Sequence, residues 1–368
     1  MNRSKTKEDS PKNPNKNLKF NILKANVDGV NKKKTELQKM FHDYNIHVAM
    51  LQETRHKSCN YNISGYIAHT CHCNSCRGII TYVRKDLQCD VTPHTADAPN
   101  DILLSTVWFG EKKFQLYNVY SPPNDTFTFS CSNSTFKATI LAGDFNGHSP
   151  LWGYKDHNLT GTNIEDLCQS TNLIRLQDEY STPTLLHKAH GTLHRPDLTL
   201  VSADLHNFCS TEVLLDIASD HRPTLLTIDM GKRQGRKRRS RWNFRRANWD
   251  NFKTELDLLL DLEEISKLEV EEAKSIITDD ILNASKASIP RGCMKKYSPF
   301  WNDQLQKSVA TRQSMRKDYE QNPTTENRVK YNKATAETKL LTKQLKKQAW
   351  TDKCLSLNLQ QGGRDAWK

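Results

Sequence analysis

Short apolar runs separated by turn residues fill the region from residue 18 to residue 230. Runs at 20–23, 47–51, 78–83, 103–108, 114–120, 139–141, 198–201 and 225–228 are rich in Ile, Val, Leu, Phe and Tyr and read as strands. Two segments switch to helical spacing. Residues 33–44 put Leu37, Met40, Phe41 and Tyr44 on one face, and residues 164–171 form a second candidate helix. Strands with occasional helices over about 210 residues predict an α+β or α/β sandwich.

The pattern changes after Met230-Gly231. Residues 232–246 hold nine basic side chains and no acidic one, with Trp242, Phe244 and Trp249 interleaved or close by. Beyond them the spacing is helical: an acidic amphipathic segment at 252–262, then long, strongly charged helices at 301–319 and 326–357, with Asn322-Pro323 marking the turn. Leu305, Val309, Leu340, Leu341 and Leu345 are the expected seam of that hairpin. Four segments follow: a leader at 1–17, rich in Lys, Asn and Ser and expected to be disordered; a domain at 18–230; a basic aromatic linker at 231–250; and a helical region at 251–368.

Charge sharpens this division. The chain has 54 Lys plus Arg against 42 Asp plus Glu, a net charge of +12. Residues 1–230 hold 24 of each sign, so the remaining 30 basic and 18 acidic residues carry the whole excess. A neutral domain with carboxylates to spare, followed by a basic tail, suggests chemistry first and polyanion binding second. No run of eighteen apolar residues and no apolar N-terminal core occur, so the expectation is a nuclear or otherwise intracellular protein without a membrane partner. The ten cysteines then read as free thiols. His69, Cys71, His72, Cys73 and Cys76 contain one C-x-x-C, but no second ligand pair at finger-like spacing supports a zinc site, and an ordinary loop is expected.

Polar residues recur where the predicted strands end. Asn26 and Asp28 follow the first, Glu53 the second, and Tyr120 ends another. Asp144 and Asn146 lie in Gly143-Asp144-Phe145-Asn146, Asp197 opens a strand, and Asp220 and His221 precede the last. Each alone has a plain structural reading as a solvated carboxylate, a cap or a turn. Together they suggest one rim of a sheet. Carboxylate and amide oxygens suit a hard divalent cation, and an Asp with a His suits proton transfer, which are the needs of phosphate-ester hydrolysis.

In this order and spacing the sequence resembles the endonuclease/exonuclease/phosphatase superfamily. More narrowly, it resembles the apurinic-type endonuclease domain of jockey-like non-LTR retrotransposons. Gly143-Asp144-Phe145-Asn146-Gly147-His148-Ser149-Pro150-Leu151-Trp152-Gly153 carries the narrower likeness. Arg241-Trp242-Asn243-Phe244, Ile289-Pro290-Arg291-Gly292 and residues 323–332 resemble the segment that links endonuclease to reverse transcriptase, so the likeness covers roughly residues 18–368. It implies a four-layered α/β sandwich of two packed mixed sheets flanked by helices, followed by the basic linker and helical tail. It also implies Mg2+, with Mn2+ as an alternative, and DNA as substrate, with element RNA as a further partner.

The resemblance also implies roles. Glu53 would be the principal metal ligand, with Asn26, Asp28 and Asp220 supporting it. Asp144 would activate water or manage the leaving-group proton, and Asn146 would position it. His221 would contact phosphate or act as base, oriented by Asp197, and Tyr120 would bond phosphate or Asp144. Thr184 is a candidate substrate contact, as are Arg241 and Arg245 in the linker. Lys24-Ala25 depart from the family, which usually has an aromatic before the first Asn. No Asp-Asp pair of a polymerase palm occurs in these 368 residues; Asp279-Asp280 lies in an acidic helical stretch. The reading is a DNA-nicking endonuclease of a mobile element, against a catalytically inactive nucleic-acid-binding remnant or a phosphomonoesterase of the same superfamily. Removal of residues 232–368 is expected to leave nicking and to weaken DNA affinity.

Overall fold

The computed structural model describes residues 17–55, 61–71, 77–93, 100–130, 135–187, 190–232, 242, 244, 247–289 and 300–355. Its centre is β1 (Asn17–Asn26), a strand buried on both faces. Phe20 and Ile22 point one way and Leu23 and Ala25 the other, as period-two alternation requires. Strand β1 pairs in parallel with β2 (Val48–Gln52) and antiparallel with β14 (Thr224–Lys232). With β13 (Cys209–Val213), β4 (Ile79–Arg84) and β3 (Tyr66–Cys71) they make a six-stranded sheet ordered β13-β14-β1-β2-β4-β3.

The second sheet repeats the plan. Its order is β5-β6-β7-β8-β12-β9, with β5 (Gln88–Pro93), β6 (Asp101–Phe109), β7 (Lys112–Tyr120), β8 (Thr139–Asp144), β12 (Asp197–Ser202) and β9 (Leu173–Arg175). Its parallel pair, β7 with β8, again lies inside the sheet. A two-stranded ribbon, β10 (Leu185–Leu186) with β11 (Leu193–His194), leads into β12, and the short α3 (Ala203–His206) follows it.

Three apolar clusters show the layers. Phe20, Ile22, Val48, Phe114, Leu116 and Ile140 fill the space between the sheets. Leu37, Met40 and Phe41 of α1 (Val30–Asp43) cover the outer face of the first sheet. Ile164 and Leu167 of α2 (Leu159–Ser170), with Trp152, cover that of the second. This is the four-layered sandwich that the resemblance implies. All eight strand runs and both helical segments of the sequence reading are present. The edge strands β3, β5, β9 and β13 were not legible, because an edge buries little. In β5, for example, four of six residues are exposed.

The chain forms two units, residues 1–233 with 297–368 and residues 234–296. The smaller contains α4 (Trp249–Leu259), α5 (Leu262–Ile265) and α6 (Val270–Ser288), with Asn251 Nδ2 donating to Ser288 Oγ at 2.9 Å and Phe244 stacked on Trp249. The larger includes α7 (Asp303–Gln321) and α8 (Thr325–Leu355), an antiparallel hairpin. The hairpin seam is partly as expected. Leu305 and Val309 are buried, but Leu340 is 57% exposed, and Tyr331, Ala334 and Thr338 take the inner positions of α8. The hairpin docks on the sandwich through α7. There Arg312 and Arg316 are each 1% exposed, and Tyr319 packs with Leu186 of the ribbon.

Candidate active site

Topology explains why distant residues meet. Strands β1 and β2 are parallel, so Asn26 and the residues after Gln52 emerge at one edge. Strand β14 runs against β1, so the approach to it, Ser219-Asp220-His221, lies at the same edge. In the second sheet β7 and β8 end side by side at Tyr120 and Asp144, and the antiparallel β12 begins opposite at Asp197. Gly143 is required here: a Cβ would lie 1.7 Å from the Val119 carbonyl oxygen, so a larger residue would push β8 away from β7.

Asn26 joins the two sheets. Its Nδ2 donates to Asp144 Oδ2 at 2.8 Å and to Glu53 Oε1 at 3.2 Å. Tyr120 donates its hydroxyl to Glu53 Oε1 at 3.3 Å. Asn146 donates its side-chain amide to the Ser121 carbonyl and its backbone N–H to Asp144 Oδ1 at 3.2 Å, which fixes the Asp144 carboxylate from a second side. Asp28, Glu53 and Asn146 all have φ between 43° and 49°, in the left-handed region. Non-glycine residues occupy it at a cost and gather at functional sites.

His221 is placed against two carboxylates. Its Nδ1 is 2.7 Å from Asp197 Oδ2 and its Nε2 is 3.9 Å from Asp144 Oδ2. Burial opposes charge on the imidazole. The Asp197 carboxylate and its hydrogen bond, helped by Asp144 and Asp220, outweigh that and raise its pKa to about 10. Asp144 moves the other way for an acid. Burial raises it to about 6, against the lowering influence of His221 and Asn26, with Asp197 and Glu53 adding to the rise. Asp197 stays well ionised despite burial because His221, Lys24 and Thr184 all favour its charge.

Thr184, expected to touch substrate, lies behind the site, 4% exposed, with its hydroxyl donated to Asp197 Oδ2 at 2.5 Å. The Asp220 carboxylate accepts from the Ser219 hydroxyl at 3.3 Å, and its carbonyl accepts from the Leu186 N–H. Arg241 and Arg245 fall outside the described residues. So do His72, Cys73 and Cys76, whereas His69 and Cys71 lie on β3. The Gly147 to Gly153 stretch is a built turn. Trp152 is buried and donates its indole N–H to the Gly147 carbonyl at 2.9 Å, and Ser149 caps the turn at Leu151 N.

Several residues at the site lay outside the sequence reading. Arg77 donates to Glu53 Oε1 at 2.8 Å and to the Tyr120 hydroxyl at 3.0 Å. Arg55 pairs with Asp28 at 2.8 Å. Lys24, the departure noted beside Ala25, points between the sheets and donates to the Leu198 carbonyl at 3.1 Å beneath Asp197 and Asp144. Burial lowers its pKa to about 8, although both carboxylates pull it up. From behind, Arg316 donates to the Ser219 and Asp220 carbonyls at 2.6 and 2.7 Å, and Arg312 holds the Asp216 carbonyl and Glu36. The one available signal was Lys24 itself, a cation in the middle of the run Ile22-Leu23-Lys24-Ala25.

Among the described residues, Asp144, Asp197 and His221 are the group whose ligating atoms lie within 4.8 Å of one another, so an acidic/His site exists that a divalent cation could enter. The direct His221–Asp197 hydrogen bond fits proton handling better than ligation by those two atoms. Glu53 and Asp28 offer hard oxygens of the kind Mg2+ prefers. In this structure the charge on those oxygens is met by Arg77 and Arg55, whose side chains are 45% and 55% exposed. The donor set therefore fits a divalent cation, which would have to displace two half-exposed guanidinium groups.

Residues 114–225 match the family model described as endonuclease–reverse transcriptase. The chain is 26% identical over 290 residues to a probable RNA-directed DNA polymerase from transposon X-element of Drosophila melanogaster. That alignment covers 73% of this chain and 31% of the relative's length. Among solved structures, the endonuclease domain of TRAS1, a telomere-specific non-LTR retrotransposon, aligns at 18% identity and a TM-score of 0.46, over 58% of this chain and 100% of that one. An AP endonuclease from Archaeoglobus fulgidus aligns at 14% identity and a TM-score of 0.47, over 57% and 100%.

Proposed function

With its sandwich in the endonuclease–reverse transcriptase family, within the endonuclease/exonuclease/phosphatase superfamily, we propose that this chain is a Mg2+-dependent DNA endonuclease that nicks target DNA for a jockey-like retrotransposon, a step normally coupled to RNA-directed DNA polymerase. One observation carries the chemistry: a buried His221–Asp197 pair faces a carboxylate, Asp144, that Asn26 ties to Glu53. A bound divalent cation on the Glu53 side would offset charge building on the phosphoryl oxygens.

The chain's own residues divide the remaining work. Asp144, with a pKa of about 6, is an ionised base at neutral pH and close enough to that pH to take a proton from water and return it to the leaving oxygen. His221, with a pKa of about 10, is an imidazolium across the same range and acts as a donor to a non-bridging phosphate oxygen. Asp197 keeps that charge in place and, with Thr184, fixes the ring. Asn26 and the Asn146 N–H aim Asp144, and Tyr120 holds Glu53. Asp220 would support the metal side, and Arg241 and Arg245 would add phosphate contacts.

Supercoiled plasmid incubated with Mg2+, beside a chelator control and Glu53→Gln, tests the reading. Nicking should vanish with chelator, and Glu53→Gln should need on the order of tenfold more Mg2+, a loss seen even for groups that only support a metal ligand. Salt-sensitive DNA binding without nicking would identify an inactive remnant. Phosphate release from small phosphomonoesters without nicking would point to the third reading.

A further inference from the structure

A groove of about 410 Å³ runs between α1 and α8. One end is lined by Asp28, which Arg55 links to Glu53 at the rim of the site. Its walls carry Lys32 and Lys33 on α1 and Lys339, Lys343 and Lys346 on α8. The acids that line it are already paired, Asp28 with Arg55 and Glu36 with Arg312 at 2.6 Å. Lys33 is buried and donates to the Ala218 carbonyl. Lys32, Lys339, Lys343 and Lys346 are exposed and, among the described residues, take part in no ion pair. Lys346 is held over the Phe300 ring, and the neighbouring Lys34 adds to the burial that lowers its pKa. Four exposed lysines gathered along one groove and left without counter-charges among the described residues are placed for a polyanion.

We propose that this groove is a track for the sugar-phosphate backbone of duplex DNA flanking the scissile bond, with the C-terminal hairpin as one wall. The inference rests on the endonuclease reading and adds to it a binding surface outside the sandwich. The spacing agrees. Lys339, Lys343 and Lys346 stand at i, i+4 and i+7 on one helix face and span roughly 10 Å, about three nucleotides along one strand. None of the described residues lining the groove is aromatic. It offers charge without stacking, which suits a duplex backbone and not unpaired bases.

The test is the salt dependence of binding of the full chain to a short duplex DNA in the presence of chelator. The triple variant Lys339→Ala, Lys343→Ala, Lys346→Ala should flatten the slope of log K against log salt by about 2.7, at roughly 0.9 per phosphate. It would then lose about 40-fold less affinity than wild type between roughly 50 and 200 mM salt. A charge-matched control, Lys330→Ala, Lys333→Ala, Lys347→Ala, removes three exposed lysines that do not line the groove and should change the slope by less than one unit. Equal flattening in both variants, or no flattening in the first, overturns the proposal. So does a larger loss for single-stranded DNA or duplex RNA than for duplex DNA. Wild-type plasmid nicking is measured on the same preparation. If nicking is absent while the slope difference holds, the endonuclease reading fails and the groove stands.

Discussion

The two sides of the site are built differently. On the His221 side the groups are buried and hydrogen-bonded to one another. Asp197, Thr184 and His221 are 2%, 4% and 7% exposed, and Arg316 holds the carbonyls of the two residues before His221. On the Glu53 side the carboxylates sit on loop residues with positive φ and are met by two half-exposed arginines. Ion pairs made by arginines that remain about half exposed contribute little to stability, although Glu53 itself is 12% exposed. On the proposed function, the difference teaches that the half assigned to proton handling is held by buried hydrogen bonds, while the half that would take the metal carries arginine counter-charges that a divalent cation would have to replace.

The comparison breaks most directly at His221. His221→Ala should lower the single-turnover nicking rate at saturating Mg2+ by at least about a hundredfold, the scale of a lost acid–base or charge-stabilising group. Asp197→Asn should approach the same loss, because the ring loses both its orientation and the charge that keeps it protonated. If His221→Ala nicks at the wild-type rate, the buried half is not where the chemistry happens.

The hairpin supplies the second prediction. Sequence reasoning expected the tail to be dispensable for nicking, but α7 docks beside the loop that presents His221. Arg316→Ala leaves the Ser219 and Asp220 carbonyls without their guanidinium donor and should lower turnover about tenfold, since misplacement by 1 Å can cost up to roughly a hundredfold. Arg316→Lys should restore part of the rate, and KM for DNA should hold steady in both variants. A loss in thermal stability with an unchanged rate would reduce the hairpin to a structural support.

What was legible in the sequence follows from the same physics. Asn26, Glu53, Tyr120, Asp144, Asp197 and His221 could be found because each sits at or beside one end of an apolar strand, and strands are written in the chain by their burial. Asn146 came with its neighbour in the Gly143-Asp144-Phe145-Asn146 motif. The arginines could not. Arg55 and Arg77 lie in loops without periodicity, and Arg312 and Arg316 lie on a helix so rich in charge that buried cations look like solvated ones. Their burial depends on carbonyls and carboxylates 96 to 276 residues away, which no local pattern encodes. The helices at 303–321 and 325–355 were legible as a hairpin, but their membership of the sandwich unit was not, because the docking contacts centre on Arg312 and Arg316, with Tyr319 against Leu186 as a small apolar patch.

The pH profile separates the roles of the two buried groups. Asp144 has a raised pKa, so its base form is lost as pH falls through about 6, and the rate should drop by about tenfold per unit below that. His221 keeps its proton until pH approaches about 10, so the rate should be flat from pH 7 to 8 if His221 acts as a donor. A rate that keeps climbing above pH 8 would instead mark His221 as the base, because its neutral form would then be the active one. Asp144→Asn should remove whatever remains of the acid limb near pH 6.

The smallest effect tests the Glu53 side, and its sign is the informative part. Arg77 lies on Glu53 Oε1 and the Tyr120 hydroxyl, where it competes with any cation that binds Glu53. Arg77→Ala removes that competitor. The Mg2+ concentration for half-maximal nicking should therefore fall by a few-fold, about 1 kcal/mol or less, as expected for an exposed ion pair. The maximal rate should change little, because Arg77 touches neither Asp144 nor His221. If Arg77→Ala instead raised the Mg2+ requirement, the guanidinium would be supporting the metal ligand, and Glu53 would belong with the buried half of the site.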